Sequence, residues 1–223
     1  MEFPTLEDGS LDLSFALSQL ERRREFATQT LDLYKQHPAP LGIIAQRLGC
    51  GVMELVRSWP HTGPKLEVAG GWQENHRDLQ ELLRSETVWV VDLSMLTELA
   101  TLGHLEALKH LPRVLVSSAT RNAIDCKLEE TSAFRSSGSM FSHEGKIGFH
   151  EITKEDWLNE RSFFQSIAKA VEDYCVVMPS FGPDFVEPSL HRMGEILSDE
   201  EYSTLLLCLE CKSSLLTLDA RFG

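Results

Sequence analysis

The spacing of apolar residues divides the chain into a helical first part and a second part where short apolar runs alternate with helices. Apolar positions at helical spacing, interrupted by Pro and Gly, cover residues 12–36, 41–48, 52–59 and 73–84. From residue 87 the pattern changes. Short apolar runs typical of buried parallel strands lie at residues 88–91, 114–116 and 215–218. We therefore place a domain boundary near residue 86.

The stretches between these apolar runs predict further helices. Their ranges are residues 95–110, 119–130, 153–174 and 198–211. Residues 131–148, rich in Ser and Gly, predict a loop or a hairpin, and residues 179–190 predict a proline-rich connection. Strands that alternate with helices form parallel sheets with right-handed crossovers. The predicted fold class is α/β, a three-layer sandwich around a parallel sheet over residues 87–223, preceded by a small all-helical domain over residues 1–86.

Composition describes an ordinary globular protein of 223 residues, of which 42% are hydrophobic and 25% charged. The net charge of −13 weighs against nucleic-acid binding, which usually depends on Lys and Arg. Five irregularly spaced cysteines favour reduced thiols over a disulfide framework. The chain shows no signal-peptide pattern and no apolar run long enough to span a bilayer. We expect a soluble cytoplasmic protein that does not associate with membranes.

Three acidic residues stand where a parallel sheet would bring them together. Asp92 directly follows the first apolar run, and Asp219 directly follows the last. The carboxyl ends of parallel strands share one edge of a sheet, where ligands bind. Glu201, on the first turn of the last helix, would reach the same edge through the long connection before it. Mutual repulsion between such carboxylates favours a bound cation, and oxygen ligands suit Mg²⁺ or Mn²⁺.

The order of these acidic residues resembles that of PIN domains, a superfamily of metal-dependent nucleases. Asp92 follows the first strand, Glu201 begins an apolar helix, and Thr217-Leu218-Asp219 ends the next strand. The resemblance covers about residues 87–223. It implies a metal-dependent ribonuclease that acts on single-stranded RNA, with Asp92, Glu201 and Asp219 as metal ligands.

Residues 37–128 further resemble a bacterial subgroup of PIN-like modules associated with tetratricopeptide repeats and a Gre-factor C-terminal domain. That second resemblance implies protein partners or further domains of a larger assembly.

Two departures from the family pattern affect the expected site. The family has a Glu on the helix after the second strand, and by register that position is Asn122 here. Asp125, three residues on, lies on roughly the same helical face and could substitute for it. The expected catalytic set is therefore Asp92, Asp125, Glu201 and Asp219. The chain also ends at Gly223, before the helix and strand that usually follow, so we expect a C-terminally truncated PIN domain.

Other side chains have supporting roles in this interpretation. Ser94 and Thr217 are expected to orient the ligand carboxylates. The nearest basic residues that could contact phosphate are Arg121, Lys127 and Arg135. Cys208 and Cys211 form a lone C-x-x-C pair without further zinc ligands, so we expect them to be buried as small hydrophobic residues.

Structural explanations compete with each functional one. Residues 198–201 also satisfy the capping-box pattern, and Asp92 and Asp219 could simply end strands in turns. Asn122 and the acidic net charge favour a catalytically inactive PIN-like scaffold. Residues 41–59 also resemble a helix-turn-helix, the basis for a DNA-binding regulator. Because Glu54 would repel phosphate beside Arg57, we expect this segment to pack against the rest of the chain.

Overall fold

The structure, a computed structural model, describes residues 14–37, 39–62, 87–134, 138–143, 146–181 and 188–219. The predicted helix at residues 73–84, the domain boundary near residue 86 and the side chain of Arg135 lie outside the described residues. Within them, no helix has both the length and the apolar character needed to cross a membrane.

The chain begins with three helices. They are α1 (Ser14–Gln36), α2 (Leu41–Leu48) and α3 (Val52–Thr62). Helix α2 ends at Gly49, whose φ of 70° lies in the left-handed region that glycine adopts without steric cost. The helix pair predicted over residues 41–59 is confirmed.

Strands and helices then alternate, as the apolar pattern predicts. The elements are β1 (Val88–Val91), α4 (Leu93–Thr101), a 3₁₀ helix (Leu105–His110), β2 (Arg113–Ser117), α5 (Ser118–Glu130), β3 (Gly138–His143), β4 (Lys146–Glu151), α6 (Lys154–Tyr174), β5 (Val176–Met178), α7 (Pro188–Gly194), α8 (Asp199–Cys211) and β6 (Ser214–Leu216).

Two details differ from the prediction. The single helix expected over residues 95–110 is two elements, because Gly103 adopts a φ of 71° and interrupts it. Helix α7 begins within the segment expected to be a connection. The Ser- and Gly-rich segment, predicted to be a loop or a hairpin, contains an antiparallel hairpin, β3 with β4.

The main sheet has four parallel strands in the order β5-β2-β1-β6. In its centre Val90 lies opposite Leu115 of β2 and Leu215 of β6. The three predicted strands are therefore parallel neighbours, and the α/β PIN-like class is confirmed. The fourth strand, β5, was not predicted. It has only three residues, and the exposed fractions of two of them, Val176 and Val177, are 50% and 40%.

Alternating residues of the strands cover the two faces of this sheet. On one face Val90 and Leu115 pack against Leu207 of α8. On the other face Val91 and Val116 belong to a larger apolar cluster that includes residues of α4 and α6. Side chains of a strand point to opposite faces in turn, so this two-residue period produces the three layers.

The larger cluster also contains the N-terminal helices. Its members from α2 and α3 are Leu41, Ile44, Ala45, Val52, Met53, Leu55, Val56 and Trp59. Charged residues of α3 also contact the helices of the second part of the chain. The Arg57 guanidinium lies 4.3 Å from the centre of the Phe163 ring of α6, and the Glu54 carboxylate is 2.6 Å from the Lys127 ammonium of α5. The expectation that residues 41–59 pack against the rest of the chain is confirmed.

All five cysteines are free thiols. Cys208 and Cys211 pack against the smaller cluster around Leu207, but they are half-buried and not fully buried as expected. Burial raises the pKa of the Cys208 thiol to about 11, so this thiol is poorly suited to act as a nucleophile or a metal ligand at neutral pH.

Candidate functional site

The carboxyl ends of β1 and β6 lie side by side. The backbone N–H of Asp92 donates to the carbonyl of Leu216 at 3.3 Å, immediately after the paired residues Val91 and Leu216. Strand β6 ends at Leu216, so Asp219 lies three residues beyond the strand and does not directly follow it as predicted. The reason is a contact between the two strand ends. The Thr217 hydroxyl donates to Asp92, and it accepts the N–H of Asp219 at 3.0 Å.

Asp92 is held in place through both of its carboxylate oxygens. Its Oδ1 accepts the N–H of Met95 at 2.8 Å, which caps the first turn of α4. Its Oδ2 accepts the hydroxyls of Thr217 at 2.7 Å and of Ser94 at 2.8 Å. Ser94 and Thr217, chosen from the sequence as orienting residues, therefore both contact this carboxylate.

Glu201 has one structural contact and one that reaches across the fold. Its Oε2 accepts the N–H and the hydroxyl of Ser198, which completes the capping box of α8. Its Oε1 accepts the N–H of Gly42, at the start of α2, at 2.7 Å. The capping interpretation is thus correct, and it leaves the second oxygen to bind the first turn of α2.

Three buried hydroxyls fix the position of α8. Thr204 of α8 lies 3.3 Å from the Thr120 hydroxyl of α5, and Thr120 in turn accepts a hydrogen bond from Ser117. All three residues are fully buried. Thr120 and Thr204 could not be singled out from the sequence, because isolated Thr residues carry no motif. Their effect is to hold the first turns of α8, and with them Glu201, against the end of β2.

Asp219 also reaches α2. Its Oδ2 accepts the backbone N–H of Leu41, the first residue of that helix. Consecutive N–H groups of α2 therefore bind the carboxylates of Asp219 and Glu201, which lie 178 and 159 residues away in the sequence.

The three predicted metal ligands line one small cleft. Its walls are Leu41, Val52, Asp92, Leu93, Ser94, Glu200, Glu201 and Asp219. Asp92, Glu201 and Asp219 are buried, with 3%, 7% and 5% of their surfaces exposed. The cavity between them measures about 10 Å³, which leaves room for about one water molecule.

The fourth predicted acid is not brought to this cleft. Asp125 binds the Arg121 guanidinium one helical turn away, at 2.9 Å, and Asn122 is exposed. That pair also occupies one of the basic residues expected to contact phosphate. The second, Lys127, binds both Glu54 and Glu130. Neither cation is therefore unpaired, because Arg121 binds one carboxylate and Lys127 binds two.

Burial dominates the electrostatics of the cleft. It raises the pKa of the Asp92 carboxyl to about 6, and repulsion from Asp219 adds to the effect. Burial also raises the pKa of Glu201, again with a contribution from Asp219, although the N–H groups of Ser198 and Gly42 oppose the shift. Asp92 and Glu201 therefore carry their charges at an energetic cost.

The Asp92 shift predicts a pH dependence of stability. A carboxyl whose folded pKa of about 6 exceeds its ordinary 3.8 stabilises the fold below pH 3.8, and this contribution is lost as the pH rises through 6. The metal-free protein should lose up to about 3 kcal/mol of unfolding free energy from this group between pH 4 and pH 8. Asp92→Asn should remove that part of the dependence. Urea unfolding in a chelator at both pH values measures it, and equal pH slopes for the variant and the parent would contradict it.

The donor set suits a hard divalent cation in kind. Carboxylate oxygens are the ligands that Mg²⁺ and Mn²⁺ prefer. In the part of the chain that the structure describes, however, no group of three His, Cys, Asp or Glu side chains is arranged to hold a metal ion. The N–H groups of Leu41 and Gly42 bind two of the carboxylates, in the cleft where a cation would bind. The three carboxylates therefore have the chemistry that a divalent ion needs, but the first turn of α2 binds two of them and opposes binding of the ion.

Sequence reasoning did not find these two N–H donors. A backbone group has no residue type to recognise, and the contact spans most of the chain. One local signal was present. Pro40 precedes α2 at the capping position, and its side chain cannot cap the helix, so the first N–H groups need partners elsewhere.

One family model matches the chain, over residues 90–223. Its description is "PIN domain associated with the TPR-GreAB-C-PIN system". The match spans more than half of the chain and includes Asp92, Glu201 and Asp219, whereas helices α1 to α3 precede it. The sequence resemblance to this subgroup had been placed on residues 37–128, of which the match covers only residues 90–128. No curated protein and no solved structure matches the chain.

Proposed function

The chain belongs to the family of PIN domains associated with the TPR-GreAB-C-PIN system, and from this membership we propose that it is a metal-dependent ribonuclease. The proposed reaction is hydrolysis of phosphodiester bonds in single-stranded RNA. The proposed ion is Mg²⁺ or Mn²⁺, held by Asp92, Glu201 and Asp219. Asp125 is left out of this set because Arg121 binds it elsewhere.

One observation carries the proposal. Three acidic residues from three elements, far apart in sequence, line a single buried cleft at the carboxyl edge of a parallel sheet. Crowding carboxylates in this way is unfavourable unless a positive group compensates them. Open α/β sheets bind their ligands at this edge.

The residues of the chain have distinct roles in the proposed reaction. A bound divalent ion would lower the pKa of a water molecule and stabilise charge on the phosphate. Asp92 would hold that ion rigidly, because Met95, Ser94 and Thr217 fix its carboxylate. Thr217 also holds the backbone of Asp219, so one side chain orients two of the ligands.

A cleavage assay tests this proposal. The full chain should cut a labelled, unstructured RNA oligonucleotide in millimolar Mn²⁺ and should stop when a chelator is added. Asp219→Asn should abolish the cleavage. Cleavage that persists in the chelator, or that the Asp219 variant retains, would come from another enzyme or another site.

The groove between α1 and α2 suits a polyanion. It has a volume of about 760 Å³ and its charged lining residues are Arg22, Arg23, Arg24 and Arg47. The Arg47 guanidinium lies 5.2 Å from the centre of the Phe26 ring, which adds an aromatic surface. Although the whole chain is acidic, this groove is lined by cations and no acidic residue.

Charge removal in this groove should weaken RNA binding. Changing Arg22, Arg23 and Arg24 to Gln should lower affinity for single-stranded RNA, and the slope of log K against log salt should fall by about 0.7 per lost phosphate contact. Fluorescence anisotropy at several salt concentrations measures both. Arg113→Gln is the control, because Arg113 is an exposed residue at the start of β2 and does not line this groove. An unchanged slope in the triple variant would place the RNA elsewhere.

A non-catalytic scaffold is the second candidate, and a specific contact favours it. The N–H groups of Leu41 and Gly42 already compensate two of the three carboxylates without any ion. The description of the family, in which the PIN domain belongs to a system with other components, is compatible with such a role. The DNA-binding regulator is disfavoured, because Arg57 lies over Phe163 and is 3.8 Å from Glu160.

A further inference from the structure

Helix α2 differs from several other helices of the fold in which groups bind the N–H donors of its first turn. Side chains of Asp92, Ser117, Thr153 and Ser198 cap α4, α5, α6 and α8. Helix α2 has no side-chain cap, because Pro40 occupies that position. The N–H groups of Ile43 and Ile44 bind the carbonyl of Pro40, which leaves those of Leu41 and Gly42 directed at the acidic cleft.

The contact between α2 and the cleft is close and specific. The N–H of Leu41 binds Asp219, and the N–H of Gly42 binds Glu201 at 2.7 Å. A Cβ atom added at Gly42 would collide with the Glu201 carboxylate, so the helix approaches as closely as it does because this residue is glycine. Leu41 itself lines the cavity and is 1% exposed, which closes the cleft on that side.

The first turn of α2 also supplies positive potential. Aligned peptide dipoles place roughly half a positive charge at a helix N-terminus, and N–H groups there favour carboxylates. This compensates part of the repulsion between Glu201 and Asp219. It does so with the same oxygens that a divalent ion would need, so the helix and the ion compete for them.

From these contacts we propose that the first turn of α2 is an intramolecular plug that occupies the acidic cleft and must withdraw before a divalent cation binds. The proposal rests on the proposed metal-binding function of this cleft. The plug lies outside residues 90–223, which match the family model. It makes ion binding depend on the position of an N-terminal helix.

A pair of substitutions at one residue isolates the donor. Leu41→Pro removes the N–H that binds Asp219. Proline is tolerated at the first position of a helix, and the backbone of Pro40, with φ −49° and ψ 140°, is compatible with a following proline. Leu41→Ala keeps the N–H and removes more of the buried side chain. If the donor holds the plug, the Pro variant opens it further than the Ala variant, and if only packing holds it, the order reverses.

The measurement is Mn²⁺ binding by calorimetry on the full chain and both variants, after circular dichroism has shown that each is folded. Leu41→Pro should bind Mn²⁺ about 10-fold more tightly than Leu41→Ala, because the apparent affinity falls with the fraction of molecules that are closed. If neither variant binds Mn²⁺ more tightly than the parent, the plug is overturned. If none of the three proteins binds Mn²⁺, the plug and the proposed metal site are both overturned.

Amide hydrogen exchange gives a second readout that needs no substitution. The N–H groups of Leu41 and Gly42 should be protected in the ion-free protein and should exchange at least about 10-fold faster in saturating Mg²⁺, which is diamagnetic and permits NMR detection. Binding of Mg²⁺ with the protection unchanged would overturn the plug.

RNA cleavage by the same proteins separates the two proposals. If Leu41→Pro binds Mn²⁺ more tightly than Leu41→Ala but cuts no RNA, the plug stands and the ribonuclease proposal fails. If the parent and both variants cut RNA equally in Mn²⁺, the ribonuclease proposal stands and the plug fails.

Discussion

Replacing Asp92 by Asn should lower metal-dependent cleavage of single-stranded RNA by at least about 100-fold and leave the fold intact. Loss of an outer-shell partner of a metal ligand typically costs about 10- to 100-fold, and loss of a ligand charge should cost more. Asn has nearly the same shape and is itself a good helix cap, so the cap on Met95 and the first turn of α4 should persist. Single-turnover cleavage and Mn²⁺ calorimetry measure the effect.

Asp199→Asn is the matched control for this experiment. Asp199 is an acidic residue on the first turn of α8, two positions from Glu201, but it is exposed and does not line the cleft. It should keep the activity of the parent. Equal losses in both variants would indicate a general effect of charge on RNA binding, and near-parent activity in the Asp92 variant would remove Asp92 from the proposed ligand set.

Replacing Trp59 by Ala should lower the free energy of unfolding by about 3–5 kcal/mol. Trp59 is buried in the large apolar cluster and packs edge-on against Tyr34 of α1, with the ring centres 5.1 Å apart. It therefore joins α1 and α3 to the cluster that also contains Val91 and Val116 of the sheet. Truncation leaves a cavity that the surrounding helices fill only in part, which is why a large loss is expected.

Urea denaturation followed by circular dichroism measures that loss, with Gln46→Ala, an exposed change on α2, as the control. The control should stay within about 0.5 kcal/mol of the parent. The same curves test the proposed division at residue 86. One cooperative transition that shifts as a whole would mean that the N-terminal helices and the sheet unfold together. Two transitions, with only one displaced in the Trp59 variant, would mean that they fold independently.

The parts of the fold that could be predicted depend on neighbours in sequence. Strands β1 and β2 consist mainly of buried apolar residues, so a local pattern predicted both strands. Asp92 directly follows β1, so the same pattern also predicted the position of this acidic residue. Strand β5 has half-exposed valines and only three residues, and so lacks such a pattern. The exact end of β6 depends on the Thr217 hydroxyl binding Asp92, a contact between residues 125 positions apart.

The candidate site shows the same limit. Asp125 binds Arg121, one helical turn away, and does not line the cleft, although its spacing from Asn122 predicted that it would. The donors from Leu41 and Gly42 are backbone groups whose partners are more than 150 residues away. Their role emerges only from the three-dimensional packing of α2, because no residue type marks it.

Helix α2 has eight residues and so spans about 12 Å. Its first turn lies in the acidic cleft, and Arg47 near its last turn forms part of the basic groove. If so short a helix moves as a rigid body, a ligand that displaces one end displaces the other. Thermodynamic reciprocity then follows: if a divalent ion changes the affinity of the groove for a polyanion by some factor, the polyanion changes the affinity of the cleft for the ion by the same factor. In that case the acidic cleft and the basic groove are two allosterically coupled sites.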